Sequence, residues 1–446
     1  MKLFSAPAWL AVLLPLLFCL SSGIAQDRDP QFNFVPATTV QLPVFGVAVD
    51  PDGVMQLQQF APPGGELFVM RARAAIAHMN RDLLKKSPLR KVSLKKLQAA
   101  IQEQLDDGLP PTDTMLKLAG LQRVEYVFVY PDQNDVVIVG PAEGWIENAD
   151  GRAVGITTAR PVVLLEDLLT ALRVFTPDQP HDIWVGCSIG TTAEGMERLK
   201  EFQRSIPARV AQHEREMVAH EVLRGVEAAL GNAGVSVFGV HPETNMARVM
   251  LEADYRMKLI AIGREPPPIE MPVFFDRLRG APRNNFQRWW FTPNYQCVEI
   301  TDDRLAFHMV GQGVGLGTEE YKTDERGRLI EVQTNPLRAA RLYAEAFTRD
   351  YAEIAAASPV FGQLRNMIDV LIVANYLQRE DLFARAGLDI GLLLDNDKIS
   401  VNTMAAPTQA RCMANVAWKG SRLVAPSGGV CILASEAFKP EYLMQV

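Results

Sequence analysis

Cysteine is scarce in this chain, and its spacing fits no metal site. The 446 residues include only five cysteines, and the first lies in the apolar run near the N-terminus. No two of the others form a Cys-x-x-Cys pair, which excludes the common structural zinc patterns. Their even number permits disulfides, and Cys412 with Cys431 is the first pair to test. The four are Cys187, Cys297, Cys412 and Cys431.

Uncharged runs of membrane-spanning length are missing after the N-terminus. The chain begins with Lys2, an apolar run over Trp9–Leu20, and small residues at Gly23 and Ala25. This is the order of a secretory signal peptide cleaved after Ala25, and the run is short for a membrane span. We therefore expect residues 1–25 to be a signal peptide. The mature protein is expected to be exported and soluble, periplasmic or secreted, without a transmembrane segment.

Basic residues are outnumbered, which argues against a nucleic-acid partner. The chain has 45 basic and 52 acidic residues, a formal net charge of -7, and 8% aromatic residues. Its one basic stretch, Arg81–Lys96, contains no aromatic side chain on which a base could stack. Such a run is typical of a solvated helix face. We expect no nucleic acid among the partners.

Two patterns resemble metal-binding or phosphate-binding motifs, but their spacing or their neighbouring sequence differs from what the motif requires. His213 and His220 lie two helical turns apart, whereas a zinc-protease helix needs His-Glu-x-x-His. The glycine-rich segment Gly311–Gly317 continues into polar–apolar alternation instead of opening a helix. It is therefore typical of a strand with a bulge or a close chain approach. We expect neither a metal nor a cofactor.

Strand and helix patterns predict the α+β class, and 48% apolar residues are enough for two cores. Residues 26–265 alternate strands with helices, which predicts a mixed α/β domain whose sheet is covered by helices. The proline cluster in residues 266–272 interrupts regular structure and predicts a domain boundary. In residues 266–446, a run of strands is followed by two helices that each begin at a proline. This pattern predicts a second domain, an antiparallel meander with packed helices.

The pentapeptide Gly-Cys-Ser-Ile-Gly at residues 186–190 raises the question of a serine hydrolase. In that class the nucleophile sits on a sharp turn, and a helix begins at once. Here Thr191 and Glu194 make a capping box, which starts the helix three residues after Ser188. We therefore expect Ser188 to lie at a strand end. A serine hydrolase that uses Ser188 is the alternative.

Two adjacent tryptophans beside an arginine are the candidate partner-binding site. Successive side chains of a strand point to opposite faces, so Trp289 and Trp290 both lie in a core only if both faces are covered. An outward tryptophan beside Arg288 suits an aromatic or anionic ligand, or a partner protein. The plainer interpretation buries both rings under covering helices. No catalytic residue is assigned.

Four segments carry a resemblance to a known family. They are Tyr126–Trp145, Leu251–Gly263, the run RWWFTPNY, and Pro359–Val370. Together they resemble a family of exported bacterial proteins known only as a domain of unknown function. The resemblance implies no established activity, cofactor or catalytic residue. We expect a non-enzymatic binding or interaction protein of the cell envelope, whose partner is another envelope or secreted protein or a small ligand.

Overall fold

A computed structural model describes most of the chain after residue 43. The described residues are 44–60, 66–148, 150–180, 182–206, 210–278, 285–323, 329–331, 338–419, 422–424, 432–433 and 443–445. The predicted signal peptide lies outside these residues. Cys431 also lies outside them, so its bridge to Cys412 stays a prediction.

Strands and helices alternate in the first part of the chain, as the sequence predicts. Ser93 begins a helix because its side chain accepts a hydrogen bond from the Lys96 backbone. A turn at Pro131–Gln133 joins two antiparallel strands, Tyr126–Tyr130 and Asp135–Ala142, into a hairpin. Up to residue 190 the elements are β1 (Val44–Val49), β2 (Val54–Phe60), α1 (Glu66–His78), α2 (Arg81–Leu84), β3 (Ser87–Ser93), α3 (Leu94–Asp106), α4 (Asp113–Leu116), β4 (Tyr126–Tyr130), β5 (Asp135–Ala142), β6 (Trp145–Glu147), β7 (Ala153–Gly155), α5 (Leu165–Val174) and β8 (Trp184–Gly190).

The middle of the chain carries the longest strands. The helix that follows β8 is capped by Thr192, whose side chain accepts a hydrogen bond from the Gly195 backbone. It therefore begins one residue later than a cap at Thr191 would place it. From here to residue 331 the elements are α6 (Ala193–Ser205), α7 (Arg215–Leu230), β9 (Asn232–Phe238), α8 (Asn245–Ala261), α9 (Phe274–Arg277), β10 (Asn285–Asn294), β11 (Cys297–Ile300), β12 (Ala306–Val310), β13 (Gly313–Thr323) and β14 (Leu329–Glu331).

Helices dominate the chain after residue 337, and short strands follow them. The first of the two helices predicted for the C-terminal part is divided in two, because the backbone of Asp350 leaves the helical conformation. The elements are α10 (Arg338–Arg349), α11 (Tyr351–Ala357), α12 (Pro359–Arg379), α13 (Leu382–Ala386), α14 (Gly391–Leu394), β15 (Gln409–Arg411), β16 (Ala417–Lys419), β17 (Arg422–Val424), β18 (Ile432–Leu433) and β19 (Leu443–Gln445). With helices covering mixed sheets, the predicted α+β class is confirmed.

Two six-stranded sheets organise the described residues. One has the order β1-β2-β15-β9-β8-β18, and the other has the order β19-β11-β12-β4-β5-β3. A three-stranded sheet, β10-β13-β14, contains the long antiparallel pair of β10 and β13. Strands from both sides of residue 265 therefore share each large sheet. The division of the chain into domains 26–265 and 266–446 stays a prediction.

Two helices run through the hydrophobic core. All of Val360–Leu377 in α12 is buried, and in α8 every residue but Arg248 is buried. The two helices contact each other. Helices buried on all sides are usually apolar, yet both of these carry charged side chains into the interior. The described helices include none with the length and hydropathy of a membrane span.

Candidate functional site

A cleft of about 380 Å³ opens beside α12. Its volume is within the range of small-molecule sites, which starts at roughly 300 Å³. Its wall is unusual because arginine and glutamine side chains dominate it, with a single acidic residue. These side chains are Arg123, Arg160, Arg365, Gln122, Gln296, Gln312 and Glu125.

Distant parts of the chain supply the three arginines. Arg365 lies on α12, Arg123 precedes β4, and Arg160 lies in the loop after β7. Gly313 lets the first two approach, because a Cβ there would lie 3.1 Å from Arg365 Cγ and 3.2 Å from Arg123 Nη2. Its φ of 91° is also a conformation that favours glycine. The glycine-rich segment is therefore a place of close chain approach, as its pattern predicts.

Arg123 is held by a complete set of polar partners. Its Nε donates to Asp369 Oδ2 at 2.9 Å, and its Nη1 donates to the Gly311 carbonyl at 2.7 Å. The Tyr295 hydroxyl donates to the other oxygen of Asp369. Burial opposes the charge of Arg123, but Asp369 and Tyr295 outweigh burial and raise its pKa. Arg123 therefore lines the cleft with its charge balanced by Asp369.

Arg365 has no such partners. Its residue is only 6% exposed, and its Nε is buried without a hydrogen-bond partner. No carboxylate in the described part of the chain forms an ion pair with it. Burial and then the neighbouring Arg123 lower the pKa of Arg365, and Asp369 and Tyr351 offset this only in part. A buried guanidinium without an ion pair is costly, so the charge of Arg365 is the one that the described protein groups compensate least.

Arg160 is exposed at the cleft, but its backbone is fixed. The Arg160 carbonyl accepts a hydrogen bond from the Gly155 backbone at 2.8 Å. The carbonyl of Pro161, the next residue, accepts one from Asn366 Nδ2 at 3.1 Å, and Asn366 follows Arg365 on α12. The loop is therefore attached to the helix that carries Arg365.

A buried carboxylate supports the other side of the same loop. Glu143 Oε1 accepts hydrogen bonds from Gln122 Nε2 and from the Thr158 backbone, both at 2.9 Å. The Thr158 hydroxyl also bonds Glu143 and Gln122. Ala159, between Thr158 and Arg160, has a φ of 54°, which a side chain other than glycine adopts only when its surroundings hold it.

The cleft has the chemistry of an anion site. Guanidinium groups bind carboxylates and phosphates through paired hydrogen bonds, and the amides of Gln296 and Gln312 add neutral donors. Within the described residues, no group of three or more His, Cys, Asp or Glu side chains could hold a metal ion. The described residues that line the cleft include no cysteine, serine or histidine.

The tryptophan pair is divided between the two faces of β10. Trp289 is fully buried between Phe274 and Tyr343, with ring centroids 5.0 and 5.8 Å away. Trp290 is half-buried and packs over Gly317, where a Cβ would lie 2.5 Å from its ring. Arg288 is also half-buried. Arg288 and Trp290 remain the part of the predicted partner-binding site that reaches the surface.

Ser188 lies inside β8 instead of on a sharp turn. It pairs with Ser236 of β9, and the strand continues to Gly190 before α6 begins at Ala193. Its side chain is half-buried and forms no hydrogen bond with a described residue. This geometry is that of a strand serine and differs from the turn that a hydrolase nucleophile requires.

Sequence reasoning missed the arginine cleft. Its residues are spread from Gln122 to Arg365, and no spacing rule connects them. One local signal exists, because Arg365 and Asp369 lie four residues apart and are the two charged residues of the buried stretch Val360–Leu377. Charged residues at that spacing share a face of a buried helix, which points to a polar interior site without revealing its other members.

Comparison with known proteins finds a match to one family model and indicates no activity. Residues 187–274 match the family described as protein of unknown function (DUF1598). The match confirms the resemblance to a domain of unknown function. It extends from β8 to the start of α9 and contains none of the residues that line the cleft. No curated protein and no solved structure matches the chain.

Proposed function

We propose that this protein is a non-enzymatic binding protein that captures a small anion in the arginine cleft. One observation carries the proposal: Arg365 lies at the cavity with its Nε buried without a hydrogen-bond partner, and it forms no ion pair with a described carboxylate. A carboxylate or phosphate group would supply both, with the ligand's other polar atoms reaching the amides of Gln296 and Gln312. This deepens the expectation of a binding protein whose partner is a small ligand.

Charge arithmetic favours binding over a purely structural role for Arg365. A structural arginine stabilises a fold through its partners, and Arg365 forms no hydrogen bond or ion pair with a described residue. Arg123 beside it adds repulsion. An anion bound beside both arginines would offset this repulsion. Because such a ligand binds the folded chain only, it should raise the free energy of unfolding by about 2.7 kcal/mol at 100 times its Kd.

Calorimetric titration with acetate, succinate and inorganic phosphate tests the proposal. In Arg365→Met, the affinity for the anion that wild type binds should fall by about 10- to 150-fold, the usual value of hydrogen bonds to a charged group. The matched control is Arg224→Met, which removes an exposed arginine of α7.

The free energy of unfolding distinguishes a ligand-binding role of Arg365 from a structural one. Replacing an unpaired buried charge by an apolar side chain should leave the unfolding free energy of the ligand-free protein unchanged or higher. Unaltered anion affinity in Arg365→Met, or no affinity in wild type, would contradict the proposed function. A large loss of stability would instead assign Arg365 to the structure.

We also propose that the protein is exported to the periplasm or beyond and acts in the cell envelope. The support is the order of Lys2, the apolar run Trp9–Leu20 and the small residues up to Ala25. Binding of a small anion fits a protein that meets solutes outside the cytoplasm. A protein partner at Arg288 and Trp290 is compatible with the same role.

A further inference from the structure

Two of the three arginines in the cleft have no acidic partner. Arg123 is matched by Asp369 at 2.9 Å, and Glu125 also favours its charge. Neither Arg160 nor Arg365 forms an ion pair with a carboxylate that the structure describes. Both guanidinium groups are therefore open to an ion pair with a ligand, and the three arginines outnumber the two nearby carboxylates, Asp369 and Glu125.

These two charges lie at different depths of one cavity. Arg365 is buried at the floor, whereas Arg160 is exposed at the mouth. They are close enough for the charge of Arg160 to contribute to the lowered pKa of Arg365, after burial and Arg123. A ligand with one acidic group at the floor would extend a second group toward Arg160.

Arg160 is held beside the floor by its loop. Asn366 anchors Pro161 to α12, and Pro161 packs at Gly362, where a Cβ would lie only 2.7 Å from its ring. Glu143 holds Thr158 from the other side at 2.9 Å. An arginine whose backbone is fixed loses less conformational freedom on binding than one on a free loop, so its charge is available to a ligand.

We propose that the cleft takes a dianion, with one negative charge at Arg365 on the floor and the other at Arg160 at the mouth. This inference rests on the proposed function. The side chains of Gln122, Gln296 and Gln312 line the same cleft as neutral groups. They can hydrogen-bond the ligand without altering the charge match.

Succinate and butyrate make the test, because both have four carbons and differ by one carboxylate. At constant ionic strength, which keeps screening equal, wild type should bind succinate at least about tenfold more tightly than butyrate, a difference of about 1.4 kcal/mol. Arg160→Gln should remove this preference by weakening succinate alone. Arg224→Gln, which removes an exposed charge elsewhere, should keep it.

Inorganic phosphate distinguishes the two forms of dianion. If phosphate displaces succinate and also depends on Arg160, both charges belong to one group, as in a phosphate ester. If succinate binds and phosphate does not compete, the two charges are on separate groups. Either result supports a dianion.

Other outcomes overturn the inference and leave the proposed function separate. Equal affinity for succinate and butyrate, with Arg365→Met abolishing both, would reject the dianion and keep the anion site. Equal weakening of both ligands by Arg160→Gln would also reject it. No binding of any of the three probes to wild type would reject the dianion together with the proposed function.

Discussion

Two groups of buried charges lie along the two core helices, and they differ in balance. On α8, Arg256 contacts Glu265 at 2.7 Å and Glu252 at 3.4 Å. Arg152 bonds Glu252 and also Gln363 of α12. Two arginines thus meet two glutamates, and this set is called the balanced network. The cleft beside α12 instead holds more arginines than carboxylates.

The difference indicates which buried charges serve the fold. Removing a charge from water is expensive, and an interior ion pair offsets this only with good geometry and enough hydrogen bonds. The balanced network meets that condition within the protein. Arg365 does not meet it, and it lies at a cavity. An unpaired buried charge at a cavity is therefore better explained by a ligand than by stability.

Removing the central arginine of the balanced network has the largest expected effect. Arg256→Met leaves Glu265 buried without its ion-pair partner and removes one of the two arginines that contact Glu252, which should lower the free energy of unfolding by about 3–5 kcal/mol. Urea unfolding measures this, with Arg341→Met as the control at an exposed pair, where the expected loss is about 0–1 kcal/mol. Equal losses of unfolding free energy in Arg256→Met and Arg365→Met would contradict the difference drawn between the balanced network and the cleft.

Local patterns made the fold class predictable, whereas the sheet order depends on contacts between distant residues. Strand alternation and helix periodicity act over a few residues, so the hairpin of β4 and β5 and the cap at Ser93 follow from the sequence. The position of β15 does not. Gln409 pairs with Val54 on one side and with Gly234 on the other, and no local pattern encodes such partners.

The candidate site was less predictable than the fold for the same reason. Alternation correctly indicates that Trp289 and Trp290 point to different faces, because that is a property of one strand. The cleft requires Arg123, Arg160 and Arg365 to meet across more than one sheet and helix. Two local features of the cleft are visible in the sequence: the glycine-rich segment at Gly313, and the spacing of Arg365 and Asp369 on one helix.

Trp289 extends the comparison of the balanced network with Arg365 to a buried group that carries no charge. Its Nε1 is a buried donor without a hydrogen-bond partner. Trp289→Ala should lower the unfolding free energy by about 3–5 kcal/mol through the cavity that it creates. Trp289→Phe keeps most of the packing and removes the unpaired donor, so its loss should stay below about 1.5 kcal/mol. Melting curves with urea titration measure both.

The half-buried neighbour is the matched control for Trp289. Trp290→Ala should cost about 1 kcal/mol, the central value for single substitutions, because its ring packs against the core but is only half-buried. It should also weaken capture of any protein partner held at Arg288 and Trp290. Strong and equal destabilisation by Trp289→Ala and Trp290→Ala would show that both rings belong to the core and that the predicted partner site lies elsewhere.

Asp167 is a third way to bury an ionisable group, and the expected effect of replacing it depends on pH. Its carboxyl is fully buried and contacts Asn245 Nδ2 at 3.1 and 3.2 Å, without an ion pair to any described residue. Burial, and then the neighbouring Glu166, raise its pKa to about 8. The protein therefore neutralises this group by keeping its proton, whereas Arg256 is paired and Arg365 is left for a ligand.

The raised pKa determines the sign of the pH dependence. Below about pH 4 the carboxyl is protonated in both folded and unfolded chains, so its contribution to stability is complete. As the pH rises from about 4 to about 8, the unfolded chain releases the proton while the folded chain retains it. The contribution of Asp167 therefore decreases across this window and is lost above it.

Asp167→Asn should remove this dependence, because an amide can pair with Asn245 and has no charge to bury. At pH 8 the variant should be more stable than wild type by on the order of 1–3 kcal/mol, the usual penalty for a poorly satisfied buried group, and the gap should close toward pH 4. Urea unfolding at several pH values measures it, with the exposed Asp276→Asn as the charge-matched control. A constant gap between Asp167→Asn and wild type from pH 4 to pH 8 would mean that Asp167 does not titrate in this window, and that this fold buries its charge in another way.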